Sequence, residues 1–202
     1  MKRFVAITLL TWPMLGLYMV IDHWQSLSPT KVAMPSWVPF CPAFAVPYSA
    51  MMFVWWLLPL AIRDAGRFRA CLWALVCAYL VVMPWWIVTP TMLPRPALPP
   101  GFWAGYYQWL WTVDPPNNVM PCAHGIGPVV IAWFVARDRP TWTWPLAGML
   151  LLGLPSIALT WQHRPIDIAL GTLAALLGIA LGEKLNRRNP APVGDDVRSL
   201  PV

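Results

Sequence analysis

Apolar runs of membrane-crossing length recur along this chain, and no other feature limits its fold so sharply. Residues 4–21, 43–62, 70–89 and 144–161 each approach the ~20 apolar residues with which a helix crosses ~30 Å of hydrocarbon. Two shorter runs, 125–136 and 166–181, are also bounded by charge. A backbone in lipid has to satisfy its own N–H and C=O groups, so such runs are helical. Composition agrees, with 58% hydrophobic and 11% charged residues and a mean hydropathy of +0.56, against about 45–50% and about 25% in a soluble domain. A soluble globule of 202 residues has too little interior for that much apolar surface. The same figures exclude a disordered chain, and four scattered cysteines exclude a disulfide-stapled secreted domain. The expectation is an all-α integral membrane protein of six transmembrane helices, with an interfacial helical loop between spans three and four. Residues 1–188 form the six-span membrane domain, and residues 189–202, Pro-rich and polar, read as a disordered cytoplasmic tail.

The net charge of +6 is not spread evenly. Lys2, Arg3, Arg63, Arg67, Arg69, Arg137, Arg139, Lys184, Arg187, Arg188 and Arg198 fall on one set of loops or the termini, which the positive-inside rule assigns to the cytoplasm. Lys31, Arg95 and Arg164 fall on the other set, with Asp22, Asp114, Asp167 and the histidines His23, His124 and His163. The cations therefore order a multi-pass protein in the cytoplasmic (inner) membrane, with termini inside, and do not indicate a nucleic-acid partner. Lys2-Arg3 before an apolar stretch is also how a signal peptide begins, but no small-residue cleavage site follows, so the first run reads as an uncleaved helix.

Other residues have structural readings. Trp24, Trp37, Trp85, Trp86, Trp142 and Trp144 lie near run ends and read as an interfacial belt. Gly171, Ala174, Ala175, Gly178 and Gly182 recur at helical spacing and read as a close-packing stripe. Cys71 and Cys77 read as small core residues, and Asp22-His23 as structural or interfacial.

The chemistry-bearing residues gather in two outward loops. Ionisable groups at membrane depth are costly and mark function. His163 and Asp167 are four apart, so on one helix face the carboxylate can hold the imidazole in one tautomer and make it a nucleophile. His124, at the mouth of the fourth span, can serve as general acid, and the Arg95 fork suits a phosphoryl group. No metal and no cofactor are expected, because zinc needs three or four clustered ligands and carboxylates are too sparse for a two-metal clamp.

At these positions the sequence resembles the type 2 phosphatidic acid phosphatase superfamily, whose signature is K-x6-R-P, P-S-x-H and S-R-x5-H-x3-D. Arg95-Pro96, Pro121-x-x-His124 and His163-x3-Asp167 match in order and spacing. It is more similar to the branch containing inositol phosphorylceramide synthases, through Pro90-Thr91 with Arg95-Pro96, Asn118-x-x-Pro121-Cys122-x-His124 and Thr160-x-x-His163-x3-Asp167-x3-Gly171. Pro39-Phe40-Cys41-Pro42 leading to Pro47-Tyr48 also fits that branch.

The resemblance implies a six-helix core, His163 as a nucleophile forming a phosphohistidine, Asp167 as its orienting partner, His124 as acid and then base, and Arg95 as a phosphate ligand. The sequence departs from the broad signature at Val88 (Lys), Cys122 (Ser) and Ile157 (Arg), while Arg164 can restore one cation beside the phosphate. Cys122 stands as a weaker donor to phosphate, as a disulfide partner of Cys41, or as the mark of a decayed site. Losing cations harms a dianionic monoester more than a monoanionic diester. The expected activity is therefore a membrane lipid phosphotransferase with an extracytoplasmic site, moving a phosphoryl or phospho-head group from a lipid donor to an alcohol acceptor. A lipid phosphate phosphatase of the phosphatidate or isoprenyl diphosphate type is the alternative, and a catalytically decayed lipid-binding membrane protein is the rival outside catalysis.

Overall fold

The computed structural model describes residues 2–25 and 29–188, so the expected disordered tail at 189–202 lies outside the described residues. The helices in chain order are α1 (Lys2–Gln25), α2 (Ala45–Leu57), α3 (Ala65–Val88), α4 (Phe102–Val113), α5 (Ala123–Asp138), α6 (Thr143–Leu159) and α7 (Pro165–Arg188). Short 3-10 turns at Pro42–Phe44, Leu58–Ala61 and Pro140–Trp142 lengthen α2 and α6. Local chemistry sets the boundaries. The Asp64 carboxylate accepts from the Arg67 N–H at 2.6 Å and caps α3, while α7 opens on a proline, whose missing N–H is no loss in a first turn.

Among the described residues four helical stretches are long and apolar enough to cross a membrane: Pro42–Ala61, Ala65–Val88, Pro140–Leu159 and Pro165–Arg188. Large apolar side chains on them, including Phe53, Leu80, Leu151 and Leu173, are exposed, as suits a protein whose outer solvent is hydrocarbon. The chain is an all-α membrane protein, and among the described residues four such stretches are found where six spans were expected. Helices α1 and α5 both form where the first and fourth spans were expected. The helix α5 has only 16 residues, short of the ~20 a lone span needs. Its position explains this: α5 packs against α2, α3, α6 and α7 and buries most of its length, so protein surrounds it in place of lipid.

The closest helix pair is α3 with α7, and the small-residue stripe makes it possible. A Cβ on Gly178 would strike the Ala74 carbonyl and Ala78, and one on Gly182 would strike the Ala74 and Ala70 backbone. Of the tryptophans expected in a belt, Trp37, Trp85, Trp142 and Trp144 are exposed, and the side chain of Trp24 lies outside the described residues. Trp86 is a correction. It is fully buried, stacks edge-on to Tyr18 and donates its indole N–H to the Pro121 carbonyl at 3.0 Å.

One end of the bundle is basic and the other carries the loops expected to face outward. At the basic end Arg3 donates to the carbonyls of Ile62 and Arg63, Arg67 pairs with Asp138 at 3.3 Å, Arg137 with Glu183 at 3.2 Å, and Arg139 donates to the Ala61 carbonyl at 2.7 Å. At the far end two two-residue strands, β1 (Thr30–Lys31) and β2 (Thr91–Met92), pair in parallel and fasten the loop leading to Arg95. The aromatic helix α4 covers this end where the interfacial helical loop was expected, burying Tyr107 and Leu110 and exposing Phe102 and Trp109.

Candidate active site

The starts of α5 and α7 are locked together, and this brings the two motif histidines into contact. The Cys122 N–H donates to the Asp167 carbonyl at 3.0 Å. A Cβ on Gly171, one turn further along α7, would overlap the Cys122 carbonyl, so only glycine permits the approach. His163 sits in the turn between α6 and α7, which the Ile157 carbonyl closes by accepting from the Gln162 N–H at 3.0 Å. Trp161 in that turn has φ 55, an unfavourable conformation for a bulky residue. Its neighbours hold it there: Arg95 Nη1 donates to its carbonyl at 2.7 Å, and its indole N–H donates to the Val38 carbonyl at 3.3 Å.

Three contacts run in series through the site. The Val119 carbonyl lies 2.6 Å from His163 Nδ1, His163 Nε2 lies 2.8 Å from His124 Nδ1, and His124 Nε2 lies 3.5 Å from Asp114 Oδ2. The tautomers follow from the partners. A carbonyl can only accept, so His163 donates through Nδ1–H and presents a lone pair at Nε2. His124 donates Nδ1–H to that lone pair and turns Nε2 toward the Asp114 carboxylate. Burial, reinforced by the His124 ring and by the Arg95 and Arg164 cations, holds His163 well below the usual imidazole range, which keeps the lone pair unprotonated.

Asp167 is fully buried but does not orient His163 here, because His163 precedes α7 and is out of helical register with it. Its carboxylate accepts from Arg164 Nη2 at 2.7 Å, Arg164 Nε at 3.0 Å and the Arg164 N–H at 2.9 Å. Arg95, expected on phosphate, spreads its guanidinium over four carbonyls: Trp161 at 2.7 Å, Gln162 at 3.4 Å, Asp114 at 3.0 Å and Pro115 at 3.3 Å. It fastens the His163 turn to the Asp114 turn. Cys122 is buried at the start of α5, and burial pushes its thiol up, with backbone N–H groups of Gly125 and His124 opposing. Cys41 and Cys122 are both free thiols, so the disulfide alternative does not hold in this structure. At the two positions without the signature's cations, Ile157 is buried beside Cys122, whereas Val88 is 76% exposed at the end of α3. The side chains of Asp22 and His23 lie outside the described residues.

Two features escaped the sequence. Asp114 and the Val119 carbonyl complete the histidine series, yet neither belongs to a motif, and the separation of ten residues between Asp114 and His124 has no helical meaning across a loop. The ligand-capable atoms of Cys122, His124 and His163 lie within 4.8 Å of one another, so the structure clusters three potential metal ligands where none were expected. An apolar cavity of about 200 Å³ between α1, α2, α3 and α5, lined by Tyr18, Met52, Trp55, Leu75 and Tyr79, ends at His124. Comparison with family models, curated proteins and solved structures finds no match to this chain.

Proposed function

We propose that this chain is a membrane lipid phosphotransferase working through a phosphohistidine at His163, on the extracytoplasmic face. The observation that carries the reading is the pair of imidazoles at 2.8 Å, one kept neutral with its Nε2 lone pair turned to the other, at the end of an apolar cavity. The motif resemblance to type 2 phosphatidic acid phosphatases, closest to the inositol phosphorylceramide synthase branch, supports the same chemistry.

The lipid tail occupies the cavity and its phosphate displaces His124 from His163 Nε2. The Nε2 lone pair attacks phosphorus, the P–O bond to the leaving group breaks, and His124, held against Asp114, donates a proton to the departing oxygen. Neutral His124 then takes a proton from an alcohol acceptor, which attacks phosphorus as the P–N bond breaks. Arg95 and Arg164 act through their charge, since both already lower His163. Both guanidinium groups are committed to protein partners, which suits a singly charged diester better than a dianionic monoester. The basic end, holding Arg63, Arg67 and Arg139, faces the cytoplasm.

Protein in detergent, supplied with matched lipid phosphodiesters and phosphomonoesters with and without an alcohol acceptor, tests this. The diester is expected to react with the higher kcat/KM and to give the alcohol product. His163→Ala should abolish turnover and the acid-labile phosphoenzyme. His124→Ala should lose about 10²–10⁴-fold with ordinary leaving groups, yet still form phosphoenzyme with an activated one. Near wild-type activity of His163→Ala overturns the mechanism, and phosphate release from a monoester alone leaves the phosphatase alternative standing.

A further inference from the structure

We propose that Cys122, His124 and His163 form a binding site for a thiophilic metal ion of the zinc type, and that the ion, when bound, shuts the site down. All three ligand-capable atoms lie within 4.8 Å of one another. Zinc–nitrogen bonds of about 2.0–2.1 Å in tetrahedral geometry place the two nitrogens about 3.3 Å apart. His163 Nε2 and His124 Nδ1, now 2.8 Å apart, need open by only about half an ångström for the ion to replace their hydrogen bond.

The far sides of both rings supply the independent observation. A metal-bound imidazole donates its other N–H to a carbonyl or carboxylate, which fixes the coordinating tautomer. His163 Nδ1 faces the Val119 carbonyl at 2.6 Å, and His124 Nε2 faces the Asp114 carboxylate at 3.5 Å. The outer shell of a metal site is thus present. Charge is compatible, because Arg95 and Arg164 are offset by Asp114 and Asp167, and the thiolate cancels one charge of the ion. On binding, the Cys122 S–H proton and the His124 Nδ1 proton pass to solvent, S–M and N–M bonds form, and the fourth position takes water. The His163 Nε2 lone pair is then engaged and cannot attack phosphorus. The inhibition rests on the phosphohistidine reading; the binding does not.

Metal-free protein in detergent, titrated with Co²⁺ as a spectroscopic probe, should show tetrahedral ligand-field bands and a thiolate-to-cobalt charge-transfer band at one equivalent, both bleached by Zn²⁺. Cys122→Ser should lose the charge-transfer band, Cys77→Ser should keep it, and His124→Gln should weaken binding at least tenfold. No band in the unaltered protein, or a band surviving in Cys122→Ser, overturns the site. With a lipid substrate, Zn²⁺ should suppress the phosphoenzyme and EDTA should restore it, whereas stimulation by Zn²⁺ overturns the inhibitory role. Cobalt binding without any phosphoenzyme on any substrate sinks the transferase reading alone, and phosphoenzyme without cobalt binding sinks the metal site alone.

Discussion

Asp114 is the residue whose role the geometry changes most. Its carboxylate lies 3.5 Å from His124 Nε2, where it can orient the imidazole proposed as general acid. Asp114→Asn keeps the shape and removes the charge. Rates with alkoxide leaving groups are expected to fall on the order of tenfold, part of the ~10²–10⁴-fold that acid catalysis supplies, while an activated leaving group that needs no proton should be little affected. Equal loss on both substrates would show Asp114 to be structural only. His163 makes a second prediction through linkage. Its pKa is lowered by folding, so the unfolded chain binds the proton first as pH falls, and the stabilisation present above about pH 6.5 is lost progressively below it. Melting of the protein in detergent between pH 7.5 and pH 5 should show a steeper decline for the unaltered chain than for His163→Asn; identical slopes would contradict a neutral buried imidazole.

Between elements, the contact of α5 with α7 decides whether the site exists. The Cys122 carbonyl occupies the space a side chain at position 171 would fill, and the Cys122 N–H is tied to the Asp167 carbonyl. Gly171→Ala inserts a methyl against backbone, which cannot step aside as a flexible side chain could. The expected cost is about 1–3 kcal/mol of stability, together with a wider His124–His163 separation and a large fall in kcat. Gly182→Ala overpacks α3 against α7 at the basic end and should lower stability while leaving kcat near normal. If both variants alter stability and activity in the same proportion, the α5–α7 contact has no special bearing on the site. The motif spacing from Asp167 to Gly171 is therefore one turn of one helix with two structural duties: a carbonyl that anchors α5 and a bare Cα that lets it approach.

For the whole molecule, the separation of a basic end from a histidine end is what the expected orientation rests on. Single cysteines placed in the turn 114–120 of a chain whose native cysteines are replaced should react with an impermeant maleimide from outside intact cells, and those placed at 63–69 only after permeabilisation. The reverse pattern would move both the topology and the chemistry to the other compartment. The all-α membrane class, helices close to the six apolar runs, the charge asymmetry and the identities of His124 and His163 were legible in the chain itself, because hydrophobic periodicity, loop charge and motif spacing are local properties. Span number was not: α5 has the length of a short helix in any sequence, and only its enclosure by four neighbours shows that it needs no lipid-facing apolar belt. The same distinction runs through the site. Sequence spacing placed Asp167 on His163, and the shape of its guanidinium placed Arg95 on phosphate, but the turn before α7 breaks the helical register, so that a carbonyl from Val119 takes the first role, Arg164 takes Asp167, and Arg95 holds two loops by their backbones. Which side chains are candidates for chemistry is written in residue identity; which partner each one faces depends on the meeting of loops far apart in the chain, and those distances exist only after α5 and α7 have packed.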